Sequence, residues 1–473
     1  MAKKKIAILA TLDTKGAEAQ FLKAQLKHLG SKALIVDLGV LGEPQCEADV
    51  GRKEVAKAGG TALAELQKAA TREAAAPVMV AGATALLLKK VAAGKVHGVI
   101  GLGGLQGTAA CCSVMRALPY GLPKVMVSTV ASGDTSPYVG VSDITMMFSV
   151  GDILGLNAFM RKVLANAAGA AHGMAQVKVE LNRGELGQRK RKAGEKPLIG
   201  ISNLGVLTQG TMLAQELFAK AGYETIVFHA VGTGGRAMER MMRQGIIGAV
   251  FDYAMGEISD ALFHGLRAGD ATRLTVAGEL GLPQVLVPGG SEHLGILVSV
   301  PNQLPDRWKD HKHVWHNPVV LAPRLNAEEL KTVAVEIGKR LQATKGDAVL
   351  MLPKLGTGRY AMPGGPLNDP AGDAVYFETL KQGVPPTLEI VERELHAEDP
   401  AFVTEAVERL IALIEKQRGA GKAKGDAKKE GAARGRKAKG AKVKEPNAKT
   451  AADAGAPKAK GSGNDAKARA REA

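Results

Sequence analysis

Cysteine is scarce in this chain, and its few positions exclude a fold built on disulfide bonds. Cys46, Cys111 and Cys112 are the three cysteines among 473 residues, an odd number with no CxxC spacing. Disulfide frameworks and cysteine-rich zinc sites need more cysteines at regular spacings. We therefore expect a cytoplasmic protein with reduced thiols. Cys111 and Cys112 are expected to be buried; the alternative is a reactive thiol whose pKa a nearby helix N-terminus lowers.

Aromatic residues and long apolar runs are also rare. Phe, Trp and Tyr make up 4% of the chain, so stacking on nucleic-acid bases is not expected to dominate recognition. No apolar run reaches the roughly 18 residues that a membrane-spanning helix needs. The N-terminal "MAKKKIAILA" is followed closely by the charged "LDTKG", without the small-residue cleavage site of a signal peptide. We interpret it as a first β-strand and expect no membrane contact.

Acidic residues are outnumbered most strongly at the C-terminus. The chain has 63 basic and 47 acidic residues, net +16, and residues 419–473 contribute 16 and 6 of these, net +10. This segment has almost no large apolar residues, so it cannot bury enough surface to offset its chain entropy. We predict a disordered tail. It acts either as a solubilising extension or as a loose arm that binds RNA or another polyanion.

Nearly continuous apolar strands alternate with helical stretches through the rest of the chain. The first strands are "KKIAILA", "KALIVDLG", "VHGVIGLGG", "KVMVSTV" and "DITMMFSV", and the pattern restarts with "PLIGISN", "ETIVFHA", "IIGAVFDYA" and "QVLVPGG". Such alternation predicts α/β architecture with parallel sheets covered on both faces. We predict two Rossmann-like, doubly wound domains facing a cleft, at residues 1–176 and 197–418, with a linker at 177–196 and the tail from 419.

Two matching segments point to an internal duplication. "GLPKVMV" occupies residues 121–127 and "GLPQVLV" occupies residues 281–287, and each begins a predicted strand after a helical stretch. Two halves derived from one ancestral unit would produce this pattern. A shared order of elements that arose by chance is the alternative.

A glycine-rich turn, "GLGGLQGT" at residues 101–108, lies between a predicted strand and a predicted helix. It is not the dinucleotide fingerprint, because Gln106 stands where the third glycine belongs, and no GK[ST] follows as in a P-loop. Gly101, Gly103, Gly104 and Gly107 would still let backbone amides approach an anion at a helix N-terminus. Thr108 would bond a phosphate oxygen or cap the helix. The alternative is that the glycines only permit tight strand–helix packing.

Two further polar loops follow predicted strands of the same domain. Because the carboxyl ends of parallel strands meet at one edge of a sheet, all three loops should gather there. Lys15 would pair with phosphate, and Asp13 and Asp134 would bind a ribose hydroxyl or Mg²⁺. We predict a phosphate-bearing ligand, held by the glycine loop together with Thr11, Asp13, Thr14, Lys15, Ser128, Thr129, Ser132, Gly133, Asp134 and Thr135.

The second domain has its own candidate residues for a cleft ligand. "HAVGTGGRAME" places Thr233, Gly234, Gly235 and Arg236 after a strand, where amides and a guanidinium would bind a carboxylate or phosphate. The alternative is a simple turn in which Arg236 pairs with an acidic neighbour.

Acidic and histidine residues complete this second set. Asp252 ends a predicted strand and Glu257 opens the next helix, where it would face the cleft or cap the helix. His316 would face the cleft as an acid, base or ligand donor. His311 and His313 lie near it, but a tetrahedral zinc site needs further ligands from elsewhere, so we predict no metal site there.

The motifs together resemble a known family. The similarity spans about residues 4 to 416 and rests on "AILATLDTKG", "DLGVLGEP", "MRALPYGLPKVMVSTVASGDT", "PYVGVSDITMMFSV", "LANAAGAAHGM", "FHAVGTGGRAME" and "MPGGPLNDP". The chain resembles the uncharacterised two-domain proteins named for the ATP-binding region of the tomato mosaic virus resistance protein. It departs from that pattern at Leu105 and Gln106, where the family usually has a small residue and glycine.

The resemblance implies two Rossmann-like subdomains, an ATP-type nucleotide in the first, and self-association into an oligomer. Mg²⁺, which Asp13 and Asp134 would bind, would accompany the nucleotide. In the plant relative the region precedes a TIM-barrel-like domain, so a separate barrel protein is an expected partner. Two alternatives to nucleotide binding stay open: an ATP-dependent enzyme acting on a small anionic substrate in the interdomain cleft, and a protein- or RNA-binding module that uses the tail. No nucleophile or general-base pair stands out, so the sequence leaves open whether the protein is an enzyme.

Overall fold

A computed structural model describes residues 3–68, 72–178 and 195–439. The first domain contains a five-stranded sheet in the order β2-β1-β3-β4-β5, with every neighbouring pair parallel. Its strands are β1 (Lys5–Ala10), β2 (Lys32–Asp37), β3 (Val99–Gly103), β4 (Lys124–Ser128) and β5 (Thr145–Phe148). All five were predicted from their apolar runs. Most of the linker predicted at 177–196 lies outside the described residues.

Helices cover both faces of this sheet. They are α1 (Leu12–His28), α2 (Arg52–Ala58), α3 (Leu63–Lys68), α4 (Arg72–Ala92), α5 (Leu105–Ala117), α6 (Ser136–Val139) and α7 (Ala158–Gln176). Successive residues of a strand point to opposite faces, so Ile6 and Ile8 of β1 pack with α1 and α7, whereas Ala7 and Leu9 pack with α2, α4 and α5. Burial on both faces explains why the strands are almost continuously apolar.

The second domain repeats this plan in a six-stranded parallel sheet with the order β14-β13-β9-β8-β6-β7. Its strands are β6 (Leu198–Asn203), β7 (Thr225–His229), β8 (Ile247–Ala254), β9 (Gln284–Gly289), β13 (Ala348–Pro353) and β14 (Glu389–Arg393). A small antiparallel sheet, with β12 in the middle, consists of β10 (Ile296–Leu297), β11 (His313–Asn317) and β12 (Val320–Pro323). The two predicted parallel-sheet domains are thus confirmed.

The helices of the second domain are α8 (Thr208–Lys220), α9 (Thr233–Arg243), α10 (Gly256–Phe263), α11 (Val276–Glu279), α12 (Ala327–Leu341), α13 (Pro370–Gly383) and α14 (Pro400–Lys439), with short 3-10 turns at Gly205–Leu207 and Asp306–Trp308. Helix α14 continues into the segment predicted as a disordered tail from residue 419, where alanine, lysine and arginine all favour helix. Residues 440–473 of that tail lie outside the described residues.

The matching segments occupy equivalent places in the two sheets. "GLPKVMV" forms the start of β4 and "GLPQVLV" the start of β9. In the first domain the strand order is β2-β1-β3-β4, and in the second it is β7-β6-β8-β9. Strands β4 and β9 therefore occupy the same position in the two orders. The shared topology supports the interpretation of an internal duplication.

One helix within the described residues has the length and composition of a membrane span, at Ala74–Ala92 of α4 with a mean hydropathy of 1.5. Lys89 and Lys90 interrupt its apolar run, and Met79, Ala83 and Leu87 are buried in the core of the first domain. Core helices of this kind meet the same criteria as membrane spans.

The two domains contact each other through α5 and α9. Arg240 of α9 donates a hydrogen bond to the carbonyl of Leu118, at 3.0 Å, and another to that of Arg116. Gln244 accepts a hydrogen bond from the backbone N–H of Tyr120 at 3.1 Å. Charged and polar groups of the second domain therefore hold the C-terminal end of α5.

Truncation after Arg418 is expected to leave the melting temperature unchanged within about 2 °C. The truncation should change the free energy of unfolding by less than about 0.5 kcal/mol, and so small a change shifts the melting temperature little. Within residues 400–420, the part of α14 whose side-chain burial is described, the last buried side chain is Ile414, and the truncated chain keeps it. Differential scanning fluorimetry of both chains checks this. A drop of more than about 4 °C, which corresponds to roughly 1 kcal/mol or more, would mean that the tail is docked on the folded protein.

Candidate functional site

A cavity of about 870 Å³ opens at the carboxyl edge of the first sheet. It lies where the chain order reverses between β1 and β3, which is the place where open α/β sheets bind ligands. Helices α1, α4 and α5, the end of β3 and the loops after β1, β2, β3 and β5 form its walls. The lining residues are Thr11, Asp13, Thr14, Lys15, Leu38, Gly39, Val40, Ala76, Pro77, Met79, Val80, Leu102, Gly103, Gly104, Leu105, Gln106, Gly107, Ala109, Ala110, Cys111, Ser113, Asp152 and Leu154.

The start of α1 and the residue before it supply several polar side chains of the cavity. The hydroxyl groups of Thr11 and Thr14 lie 3.1 Å apart. Lys15 interrupts the helical backbone with φ −128° and ψ 22°, and its Nζ donates a hydrogen bond to the carbonyl of Ile153. An ammonium group has three donors, so this bond leaves Lys15 able to bind an anion in the cavity.

The start of α5 supplies backbone amides. Gly104 is the N-cap and has no side chain to cover the helix end. The first-turn N–H groups of a helix have no partner within the helix, and those of Leu105, Gln106 and Gly107 have no acceptor among the described residues of the chain. These N–H groups and the positive end of the helix dipole are features that attract an anion.

The four predicted glycines have different roles. A Cβ on Gly101 would lie 2.7 Å from the sulfur of Met126 and 2.8 Å from the Cβ of Cys111, so Gly101 permits packing beneath the site and does not line it. A Cβ on Gly103 would lie 2.7 Å from the Cα of Gly107, so the strand and the helix meet without a side chain between them. Gly104 and Gly107 both line the cavity.

The third predicted loop supports the glycine turn but does not line the cavity. Ser128 and Thr108 are fully buried, and their hydroxyl oxygens lie 2.7 Å apart. The N–H of Thr129 lies 3.4 Å from the carbonyl of Gly103. Ser128 and Thr108 therefore hold the turn from below, which places them outside ligand reach.

The tip of that loop is also separate from the site. Ser132, Gly133 and Asp134 are exposed, and Thr135 is half-buried at the start of α6. Asp134 accepts a hydrogen bond from the N–H of Ser136 at 2.9 Å, and bonds from Ser136 lower the pKa of Asp134. None of these four residues lines the cavity, because the loop turns away into α6.

Several lining residues were not predicted from the sequence. Leu38, Gly39 and Val40 follow β2, and the buried Asp37 at the end of that strand accepts hydrogen bonds from the N–H groups of Leu12, at 3.0 Å, and Gly39, at 2.8 Å. Burial raises the pKa of Asp37 although these two bonds act in the opposite direction. An acidic residue at the carboxyl end of the second strand was the available signal. No local sequence signal marks the lining residues of α4 or Asp152, because only the tertiary fold brings them to the cavity.

A carboxylate of the protein itself occupies the backbone amides that were predicted to bind an anion in the second domain. The carboxylate of Glu257 accepts hydrogen bonds from the N–H groups of Gly232, at 2.6 Å, and Gly235, at 3.1 Å. Thr233 and Arg236 are exposed, and Nε of Arg236 bonds the carbonyl of Gly232 at 3.3 Å. The amides of Gly232 and Gly235 are thus bonded to an internal carboxylate, and Glu257 has the capping role that was its alternative. A ligand at the exposed side chains of Thr233 and Arg236 stays a prediction.

Arg273 balances the buried carboxylates of this region. It forms two hydrogen bonds of 2.6 Å to Asp252 and a third of 2.6 Å to Glu257, and all three side chains are almost fully buried. Burial opposes the charge of Arg273, but the carboxylates of Asp252 and Glu257 raise its pKa well above the usual value. Asp252 and Glu257 are therefore structural residues and do not face a ligand.

The histidine and cysteine residues form no metal centre in the described residues. Within residues 3–68, 72–178 and 195–439, no group of three or more His, Cys, Asp or Glu side chains is placed to hold a metal ion. His316 is exposed, and its Nδ1 lies 3.4 Å from the hydroxyl of Tyr360. Cys111 and Cys112 are buried, and burial raises the pKa of Cys112 to about 11 although Arg116 acts against it. Such a thiol is protonated at neutral pH and is a poor nucleophile.

A buried polar network at the carboxyl end of β9 was missed by sequence reasoning. Glu292 lies 2.8 Å from Nδ1 of His293 and accepts a hydrogen bond of 2.6 Å from Thr357. Burial favours neutral Glu292, but the interactions with His293 and Thr357 prevail and lower its pKa to about 2. Arg267 and Asp260 continue the network. All five side chains are buried, so the network ties β9 to the loop after β13.

Replacing Arg273 with methionine is expected to destabilise the fold by about 3–5 kcal/mol, because Asp252 and Glu257 would stay buried without a counter-charge. Arg243→Met is the matched control, since Arg243 pairs with Glu279 at the surface and exposed pairs contribute about 0–1 kcal/mol. Urea denaturation measures both variants. An Arg273→Met variant as stable as the control would contradict the structural role of this cluster.

The comparisons with known proteins agree with the two-domain plan. Residues 4–180 match the N-terminal domain, and residues 196–414 the C-terminal domain, of the uncharacterised protein family UPF0261. A UPF0261 protein from Clostridium tetani is 38% identical over 416 residues, which cover 87% of this chain and 100% of that protein. Another, from Rhizobium meliloti, is 35% identical over 407 residues, covering 85% and 98%.

A plant protein is also similar. The ToMV resistance protein Tm-1(GCR237) of Solanum lycopersicum is 34% identical over 329 residues, which cover 68% of this chain and 42% of that protein. The family resemblance inferred from the sequence motifs is thereby confirmed. The chain, with both of the domains that define the family, belongs to UPF0261.

Proposed function

We propose that the protein binds ATP or a closely related nucleotide in the cavity of the first domain. The observation that carries the proposal is that Lys15 and the first turn of α5 line the same cavity of about 870 Å³. Ligand sites of proteins usually measure about 300–1,000 Å³. The phosphates would be held by the ammonium group of Lys15 on α1 and by the first-turn N–H groups of α5.

The cavity lining combines polar and apolar groups. Lys15, Gly104 and Gly107 contribute an ammonium group and backbone amides, and α4, α5 and the segment after β2 contribute largely apolar residues, including Val40, Met79 and Val80. Such a cavity suits a ligand with an anionic part and a flat, weakly polar part. A nucleotide has this form, and its base would contact aliphatic side chains without aromatic stacking, since the described residues that line the cavity include no aromatic side chain.

The second domain offers a contrast that supports this assignment. Helix α8 follows the first strand of its domain as α1 does, and the carboxylate of Glu398 accepts hydrogen bonds from its N-terminal amides at Gln209, at 2.8 Å, and Gly210, at 3.4 Å. Glu257 does the same for α9. In the second domain internal carboxylates thus occupy these helix ends, whereas in the first domain α5 presents its amides to the cavity.

Asp13 and Asp152 would hold the Mg²⁺ ion that commonly accompanies a nucleotide. Both line the cavity, and carboxylate oxygens are the ligands that Mg²⁺ prefers. Asp134, the other predicted candidate, lies outside the cavity. The lining includes no histidine, and its cysteine, Cys111, donates its thiol hydrogen to the carbonyl of Leu9. The geometry thus favours nucleotide binding over a nucleophilic enzyme.

Lys15→Ala is expected to weaken ATP binding by about 1.5–3 kcal/mol, because it removes a charged donor to phosphate. Isothermal titration calorimetry with ATP and Mg²⁺ measures this. Lys27→Ala is the matched control, since Lys27 lies exposed in the last turn of the same helix and should leave affinity unchanged. Equal affinity of the Lys15→Ala variant and the wild type would remove Lys15 from the site.

Gly107→Ala separates a binding role from a structural one. A Cβ at this position would meet only the carbonyl of Leu102, at 3.6 Å, and alanine is favoured over glycine in a helix by about 0.5–1 kcal/mol. The variant should therefore be at least as stable as the wild type. It should bind ATP more weakly by about 1–3 kcal/mol, because the methyl group crowds the ligand.

Gly169→Ala in α7 is the control for this experiment. Alanine is favoured over glycine in this helix as well, and no atom lies within 4 Å of the position that the added Cβ would take. It should be stabilised and should bind ATP as the wild type does. A Gly107→Ala variant with undiminished affinity would place the nucleotide away from the α5 amides.

A further inference from the structure

Helix α5 connects the proposed nucleotide site with the second domain. It has 13 residues and so extends about 20 Å. Its N-terminal turn lies at the cavity, and its C-terminal carbonyls lie against α9 of the other domain. A change in the direction of this helix would therefore alter both the cavity and the contact with α9.

Arg240 of α9 is the main contact at the C-terminal end. Its Nη2 donates hydrogen bonds to the carbonyls of Arg116 and Leu118, and its guanidinium lies over the ring of Tyr120, 4.5 Å from the ring centroid. The final carbonyls of a helix have no partners within it and carry the negative end of the helix dipole. A cation that bonds them both satisfies these groups and fixes where the helix ends.

The helix that carries Arg240 is itself held firmly. Its N-terminal amides at Gly232 and Gly235 are bonded by Glu257, which pairs with the buried Arg273. Its buried side chains, Met238 and Met242, pack in the core of the second domain. Helix α9 therefore serves as a fixed support against which α5 is positioned.

We propose that Arg240 is a positioning residue of the nucleotide site, acting through α5 from the second domain. The inference rests on the proposed function. By holding the C-terminal end of α5, Arg240 fixes the direction in which the amides of Leu105 to Gly107 point at the cavity. Nucleotide binding and the contact between the domains are then linked, and linkage is reciprocal: each must strengthen the other by the same factor.

Arg240→Ala is expected to weaken ATP binding about fivefold or more, the lower end of typical coupling between sites. Arg243→Ala is the matched control, because Arg243 lies on the same helix and pairs with Glu279 within the second domain. Arg240→Lys keeps a cation that reaches the carbonyls and should restore part of the affinity. Circular dichroism and thermal melting establish that each variant is folded.

Hydrogen exchange of the wild type tests the reciprocal effect without any substitution. The N–H of Tyr120 is bonded to Gln244 across the domain contact, and its exchange should slow about fivefold or more when ATP saturates the site. The slowing at Tyr120 must exceed the general slowing that ligand binding gives to amides exchanging through unfolding; without such an excess, the contact between the domains is not linked to the site.

The outcomes are distinguishable. If the wild type binds ATP while Arg240→Ala has unchanged affinity and the Tyr120 amide exchanges at the same rate with and without ATP, the positioning role is wrong and the proposed function stands. If the wild type does not bind ATP, both are wrong. Slower Tyr120 exchange together with weakened binding by Arg240→Ala, but not by Arg243→Ala, supports the positioning role.

Discussion

The close approach of strand β3 to helix α5 determines the geometry on which the site depends. Because a Cβ on Gly103 would lie 2.7 Å from the Cα of Gly107, the strand and the helix meet with no side chain between them. The helix consequently begins at the edge of the sheet, with its first amides at the cavity. The buried hydroxyl pair of Thr108 and Ser128 then ties this turn to β4, the neighbouring strand.

The two halves of the protein share a topology and differ in how their helix ends are neutralised. In the second domain Glu257 and Glu398 bond the N-terminal amides of α9 and α8, and Arg273 compensates the buried charge. These internal anions stabilise the second domain and leave it to serve as a support. In the first domain the start of α5 and Lys15 line the same cavity. The same fold thus supplies one half whose helix ends are bonded by internal carboxylates and one half in which the start of α5 is open to a cavity.

The sequence predicted the parallel strands and several polar residues that line the cavity, because apolar runs and the residues that follow them are local signals. Lys15 and Gly107 were found in this way. Met79 and Asp152 were not, since only long-range packing brings α4 and the loop after β5 to the cavity. Glu257 shows the opposite case: a glycine-rich turn predicted an external anion, but this buried carboxylate of the same domain bonds its amides. Nothing in the local sequence distinguishes these two outcomes.

A crystal structure of the protein with a non-hydrolysable ATP analogue and Mg²⁺ tests the central claim most directly. We expect phosphate oxygens within about 2.7–3.2 Å of the amide nitrogens at the start of α5, in contact with Nζ of Lys15. The base should lie against the walls formed by α4 and the segment after β2. A nucleotide bound in the second domain, or a first-domain cavity that stays empty at saturating analogue, would contradict it.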